Sequence, residues 1–329
     1  MCARTPAEPA SDAYFFDPVI KCCTYVPYLY NFLVGRILCD SEPAAQYGRA
    51  SVEKRVAEAV GVTPLGLAPD AVTSLLYGRM EQAFGRNRAV RCPHFVEDGG
   101  RCGIWRHRNS TCVTWFCKHV RGEVGYAFWR ESLHPLLLAV EKDLARWCVM
   151  ELDPTMEVLR HLVEAGEWRY EQDDTLTREA LDQRVDAKAY ARVWGKWRGR
   201  ELEYYRRCGE LVSALGWAEA LARCGSEARG YAQLAREAFV RLNSTDIPAA
   251  LKVGSFRVVR MEGAMTRVES YSRYDPLDVP NDLMELLQFF DGRSTADALK
   301  AIAAERHVSV DPALVRKLVD FKLLVPREG

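Results

Sequence analysis

The chemistry in this chain is concentrated in its eleven cysteines. Six of them form a candidate set: adjacent Cys22 and Cys23, then Cys92, Cys102, Cys112 and Cys117, the last four separated by nine, nine and four residues. Thiolates are soft, charged donors, and four of them complete a tetrahedral zinc site or an iron–sulfur cubane. An odd number of cysteines, unevenly spread, makes a poor disulfide framework, so metal or redox chemistry is the stronger expectation. Adjacent cysteines do not readily chelate one ion together. One of the Cys22–Cys23 pair is therefore expected to ligate while the other packs, hydrogen-bonds or serves a second function. The alternative for any single thiol is a small buried hydrophobe, and that reading is given to Cys148, Cys208 and Cys224, which lie on helical patterns. Cys2 falls in an N-terminal tail, and Cys39 is assigned to neither group.

The neighbours of the set point the same way. Gly99-Gly100 permits a tight turn that brings Cys92 and Cys102 together. Arg101, Arg106, Arg108, Lys118 and Arg121 place positive charge where it favours thiolate over thiol. His94, His107 and His119 are expected beside the sulfurs or at the surface rather than as ligands, since the thiols suffice. Trp105, Trp115 and Phe116 are expected to shield the site from water.

Cys22-Cys23 followed by CPHFVEDGGRCGIWRHRNSTCVTWFC resembles the YkgJ-like cysteine-cluster family. The matching residues are Cys92, Asp98-Gly99-Gly100, Cys102, Ile104, Trp105, Arg108, Cys112 and Cys117. The resemblance covers residues 15–122 and implies a zinc- or iron-chelating domain, with Cys22, Cys23, Cys92, Cys102, Cys112 and Cys117 as metal residues. A flagellin lysine N-methylase with a related cluster implies iron–sulfur chemistry, a 4Fe-4S cluster, and methyl transfer in some relatives. The chain departs from the family at Val19, where a further cysteine often stands, and at Asn109, where proline is usual.

These residues must be positioned by the rest of the chain, which the pattern reads as mainly α. Residues 1–13 form a disordered lead, 14–125 the irregular cysteine-rich metal-binding domain, and 126–245 a long-helix region packing on it. Helices are expected over Ala50–Val60 and Ala71–Phe84, with a loop between them. Further on, Leu133, Leu137, Val140, Leu144 and Trp147 form one stripe. Helices are also expected from Asp153-Pro154 to near Gly166 and after the cap Thr177. Tyr190, Val193, Trp197, Tyr204 and Leu211 fit a buried face, which outweighs a nucleic-acid reading of the interleaved arginines. From Ser255 the period changes from 3.6 to 2: SFRVVRM and MTRVESYS read as strands around an EGA turn. Ser294 or Thr295 then caps a helix, and Asp311-Pro312 opens the last one.

This last segment, residues 250–329, resembles the PqqD-like, winged-helix-type domain, through the hairpin, the FDGRST turn and the closing FKLLVP. The resemblance implies a small α+β, winged-helix-like domain that takes a peptide or protein partner at a sheet edge. DNA recognition is the weaker use, because the last helix carries little net positive charge.

Lys+Arg 45 balances Asp+Glu 45, which argues against a general nucleic-acid coat or polybasic membrane binder. The absence of a long apolar run or a signal-peptide pattern makes a cytoplasmic protein without membrane contact the expectation. No phosphate-binding loop, GxSxG elbow, HExxH or radical-SAM cysteine run is present. Three functions remain: a metal-binding protein with a docking module, a cluster-dependent peptide- or protein-modifying enzyme, and a redox-sensing winged-helix regulator. Catalysis itself is left undecided.

Overall fold

The computed structural model describes residues 16–17, 19–79, 84–155, 158, 178 and 182–327. A short strand, β1 (Leu29–Tyr30), leads into helix α1 (Asn31–Cys39), which is buried along almost its whole circumference. A helix apolar on nearly all sides belongs inside a fold. Around it stand α2 (Gln46–Glu58), the hairpin β2 (Val62–Thr63) and β3 (Gly66–Leu67), and α3 (Ala71–Arg79). The cysteine-bearing stretch follows, with hairpin β4 (Phe95–Val96) and β5 (Arg101–Cys102), then α4 (Ser110–Thr114) and α5 (Gly122–Tyr126). A π-helical stretch, Ala127–Leu133, runs directly into α6 (His134–Leu152). The helical region continues as α7 (Ala187–Trp194), α8 (Glu201–Ser213), α9 (Trp217–Arg223) and α10 (Ser226–Asn243).

One apolar core joins α1, α2, α6 and α8–α10. At its centre α1 and α8 meet backbone to backbone, because Gly35 and Gly209 face each other. A Cβ on Gly35 would lie 1.9 Å from the Tyr205 carbonyl oxygen. Buried Asn31 ties three elements together, its Nδ2 donating to the carbonyls of Pro64 and Ala145 at 2.9 Å each. The Tyr204 and Tyr205 hydroxyls donate to the carbonyls of Pro64 and Thr63, at 3.1 and 2.7 Å. The polar backbone of the β2–β3 turn is thereby satisfied inside the core.

The chain is mainly helical, as its periodicity predicts, with local differences. The expected loop between α2 and α3 contains the β2–β3 hairpin, and α2 begins at Gln46 rather than Ala50. On α6 the deep positions are Leu136, Val140, Leu144 and Cys148, while Leu137 and Trp147, and Leu133 just before the helix, are half-buried. In the aromatic stretch Trp194, Tyr204, Tyr205, Cys208 and Val212 are buried, whereas Tyr190, Val193, Trp197 and Leu211 are only partly so. The helix expected after Ala71 is seen as far as Arg79. Those expected around Asp153–Gly166 and after Thr177 lie mostly outside the described residues: Val158 and Arg178 are helical, while residues 153–155 and 182–186 are not.

The C-terminal segment has a second apolar core. Strand β6 (Ala250–Val253) is followed by the meander β7 (Arg257–Glu262), β8 (Met265–Glu269) and β9 (Leu277–Pro280). Then come α11 (Asn281–Leu286), β10 (Asp291–Ser294), α12 (Thr295–Arg306), α13 (Pro312–Asp320) and β11 (Leu324–Pro326). Strand β6 is central between β10 and β11, and β8 between β7 and β9, all antiparallel. Ser294 and Asp311 cap α12 and α13 with their side chains, and Gly263 makes the EGA turn at φ +56°.

This segment is bonded to the cysteine-bearing one. Arg121 donates to both Asp320 oxygens, at 2.7 and 2.8 Å, and to the carbonyls of Leu242 and Ser244. Lys322 pairs with Glu123 at 2.9 Å, and the His119 amide donates to Asp275 at 3.1 Å. Among the described residues no helix is long and apolar enough to cross a membrane.

Candidate metal centre

The cysteine pair sits in a tight turn. The Asp17 carboxylate caps the amides of Val19 and Ile20, and the Cys23 amide donates to the Ile20 carbonyl at 2.9 Å. The turn is fastened to the second segment through its backbone: the Cys92 amide donates to the Cys23 carbonyl at 2.8 Å. From Cys92 the chain enters β4, turns through Gly99 (φ +75°) and Gly100 (φ +56°), and returns in β5 with Cys102 opposite Phe95. Only glycine adopts two successive left-handed residues without strain, so the turn fixes where Cys102 comes back.

Cys112 is carried by α4. Asn109 caps that helix, its Oδ1 accepting from the Cys112 amide at 3.0 Å and its Nδ2 donating to the Tyr28 carbonyl at 3.2 Å. Asn109 thus holds the helix to the segment just after the cysteine pair. Below it, buried Glu141 of α6 accepts from the Ser110 amide and hydroxyl, at 2.7 Å each.

Five thiols gathered from these three segments lie within one another's electrostatic reach. Cys22, Cys92 and Cys102 each raise the pKa of Cys23 and of Cys112. Burial pushes Cys92 up to about 12, with further contributions from Cys102 and Cys22. Burial likewise raises Cys102, and Arg108 offsets part of it. Cys22 alone is lowered, to about 7, by the hydrogen bond it shares with the Cys23 thiol and by the charges of Arg108 and Lys21. Cys23 is held protonated by the same bond. Within the pair, Cys22 is therefore the sulfur that ionises first and Cys23 the one that keeps its proton.

Among the described residues, no three histidine, cysteine, aspartate or glutamate side chains stand as a set that could hold a metal ion. The donor chemistry fits a thiophilic ion: soft sulfurs, burial that disfavours free thiolates, and arginine countercharge. The sulfurs as they stand are gathered rather than arranged as a coordination shell. Cys117 is buried just past α4; Cys112 is raised above all by burial, with Cys92, Cys102 and Cys22 adding to it and Arg108 opposing.

Other expectations need correction. The basic residues do not lower the thiols as a group, because burial and mutual repulsion win everywhere except at Cys22. Arg106 is turned toward Glu42 and Arg121 toward Asp320. Trp105 does not shield the site: it is 62% exposed, with the Arg108 guanidinium stacked 3.5 Å from its ring centre. His107 bonds Asp40 at 2.8 Å. His94 is fully buried against the Ser51 hydroxyl at 2.8 Å, and burial with the Arg55 charge holds its pKa to about 3. Cys148, Cys208 and Cys224 need no correction: they are buried in the helical core, as their pattern predicts, and Cys39 is exposed at the end of α1.

Two residues that sequence reading did not single out act on the site. Half-buried Arg55 of α2 lies in the field of Cys92, and Glu141 anchors α4. Burial pushes the Glu141 carboxyl from its ordinary 4.5 up to about 8. A raised acid pKa means that the folded protein holds a proton the unfolded chain releases. Stability from this group is therefore full below about pH 4.5 and is lost as pH rises toward about 8, by roughly 1.4 kcal/mol per unit. Glu141→Gln is neutral throughout, so its urea midpoint should fall less between pH 5 and pH 8 than that of the wild type. Parallel pH profiles would place the proton elsewhere.

No family model matches the chain, and no curated protein or solved structure is found to resemble it.

Proposed function

We propose that the protein holds a zinc ion or an iron–sulfur cluster on Cys22, Cys92, Cys102 and Cys112, and that residues 250–329, as a winged-helix-like domain, dock a peptide or protein partner. The observation that supports the metal reading is the convergence of the Cys22–Cys23 turn with three thiols from a distant part of the chain, Cys92, Cys102 and Cys112. When bound, such a group supplies a clamp across the three segments or, as an iron–sulfur cluster, one-electron chemistry.

The chain's own residues have definite tasks in this reading. Cys22 is the sulfur most readily ionised, and Cys23 stays protonated and donates to it. Arg108 faces Cys22, Cys102 and Cys112 while donating to the Cys112 carbonyl at 3.2 Å, which balances the negative charge of several thiolates. Arg55 does the same for Cys92 from the buried side. Cys117 is left out of the ligand set.

Docking is supported by β7, an outer strand of its sheet. Arg257 and Arg260 are engaged by Glu269 and Glu262, leaving Val258 and Met261 exposed along that edge. An edge so built resists indiscriminate pairing yet can accept one more strand.

Elemental analysis and absorption spectra of anaerobically purified protein test the metal reading. About one zinc per chain without colour, or iron and sulfide with a broad band at roughly 400 nm, is the expected result. Protein that contains neither, and takes up neither on reconstitution, overturns it.

A further inference from the structure

We infer that Arg130, Trp115 and His119 form a second binding site, for a small ligand that carries a carboxylate or phosphate on a planar apolar body. The site lies where the cysteine-bearing segment, the π-helical stretch and the C-terminal sheet meet, and it requires no metal.

Three buried side chains there carry polar atoms without a partner. The Nε1 of Trp115, the Nη1 of Arg130 and both ring nitrogens of His119 are sealed from solvent without a hydrogen-bond partner. His119 is only 7% exposed. A buried donor left unpaired is costly, and three in one place are rarely accidental in a folded chain. Arg130 is the hub: its guanidinium lies 4.3 Å from the Trp115 ring centre, and its charge acts on His119. It hydrogen-bonds the Tyr126 hydroxyl, and among the described residues it has no carboxylate partner. The nearby acid, Asp275, is already taken by the His119 amide and the Tyr271 hydroxyl.

These features select the ligand's chemistry. Tryptophan and arginine nitrogens only donate, so the missing partner must bring acceptors, and the uncompensated guanidinium asks for an anion. The walls are aromatic. Phe84 meets the Trp115 ring edge-on at 5.0 Å, and Tyr126 meets His119 at 5.7 Å. Such walls suit a flat apolar body better than a sugar.

The backbone gives an independent indication. Arg130 sits within a π-helical stretch of seven residues, Ala127–Leu133. π-Helical turns are rare and concentrate at functional sites, where the extra residue per turn re-aims a side chain.

Calorimetric titration of the full-length chain with benzoate and with phenyl phosphate tests the site, with benzyltrimethylammonium as the probe of opposite charge. One equivalent of at least one anion should bind, and the tighter of the two tells carboxylate from phosphate. The cation should not bind. Arg130→Met should weaken anion binding by about tenfold or more, the loss of a charge-assisted pair. Trp115→Phe keeps an aromatic ring but removes the pyrrole half of the indole with its N–H, and should weaken binding by about threefold or more. If Arg130→Met fails to fold, Trp115→Phe decides alone. The inference is overturned if neither anion binds, if the cation binds as well, or if the folded variants bind like the wild type.

Discussion

Replacing Cys102 and Cys112 together by serine is expected to reduce bound metal from about one centre per chain to background. The two residues reach the cluster by separate routes, one on the return strand of a glycine turn and the other on a capped helix. Losing both leaves only Cys22, Cys23 and Cys92 of the gathered thiols, and a hydroxyl is a poor ligand for a thiophilic ion. Cys117→Ser and Cys39→Ser should keep the full metal content. A Cys102→Ser/Cys112→Ser protein that still carries its metal would refute the ligand set.

The same double variant should show how much folding free energy the metal supplies. Hairpin β4–β5 pairs only two residues on each strand, too little to be stable alone. The segment nevertheless has anchors of its own: the Cys92–Cys23 backbone bond, the Asn109 cap and the Ser110–Glu141 pair. Limited proteolysis of the variant is therefore expected to open residues 91–108 first, while α4, held to α6 through Glu141, is protected longer.

What could be read from the sequence depended on whether a feature was local. The Gly99-Gly100 turn, the Ser294 and Asp311 caps and the EGA turn are set by a few adjacent residues, and each stands where the pattern puts it. Strands β2, β3, β10 and β11 are two to four residues long, too short to show a period of two. The face of α6 was misread by one position because Leu136 and Leu137 both satisfy a helical period. Packing against α1, α8 and α10 decides that Leu136 goes inward. The cysteines announced themselves by type. Arg55, Glu141 and Arg130 did not, since each is an ordinary helical charge until the tertiary fold buries it beside a thiol, a cap or an indole.

Gly35→Ala is expected to be among the most damaging single substitutions in the helical core, costing about 3 kcal/mol or more. By propensity alone the change should help, since alanine is favoured over glycine in a helix interior by roughly 1 kcal/mol. Contact reverses the sign. The new methyl would lie 1.9 Å from the Tyr205 carbonyl oxygen and 2.7 Å from the Gly209 amide nitrogen, both backbone atoms that no side-chain rotation can move. Relief requires α1 and α8 to separate, and that exposes gaps around Val34, Ile37, Tyr205 and Cys208, all at most 1% exposed. Gly230 on α10 provides the control, because a Cβ there meets nothing within 4 Å. Gly230→Ala should leave stability unchanged or raise it by up to about 1 kcal/mol. Urea unfolding of the two variants beside the wild type measures the difference. Equal midpoints for Gly35→Ala and the wild type would mean that α1 and α8 do not cross in backbone contact.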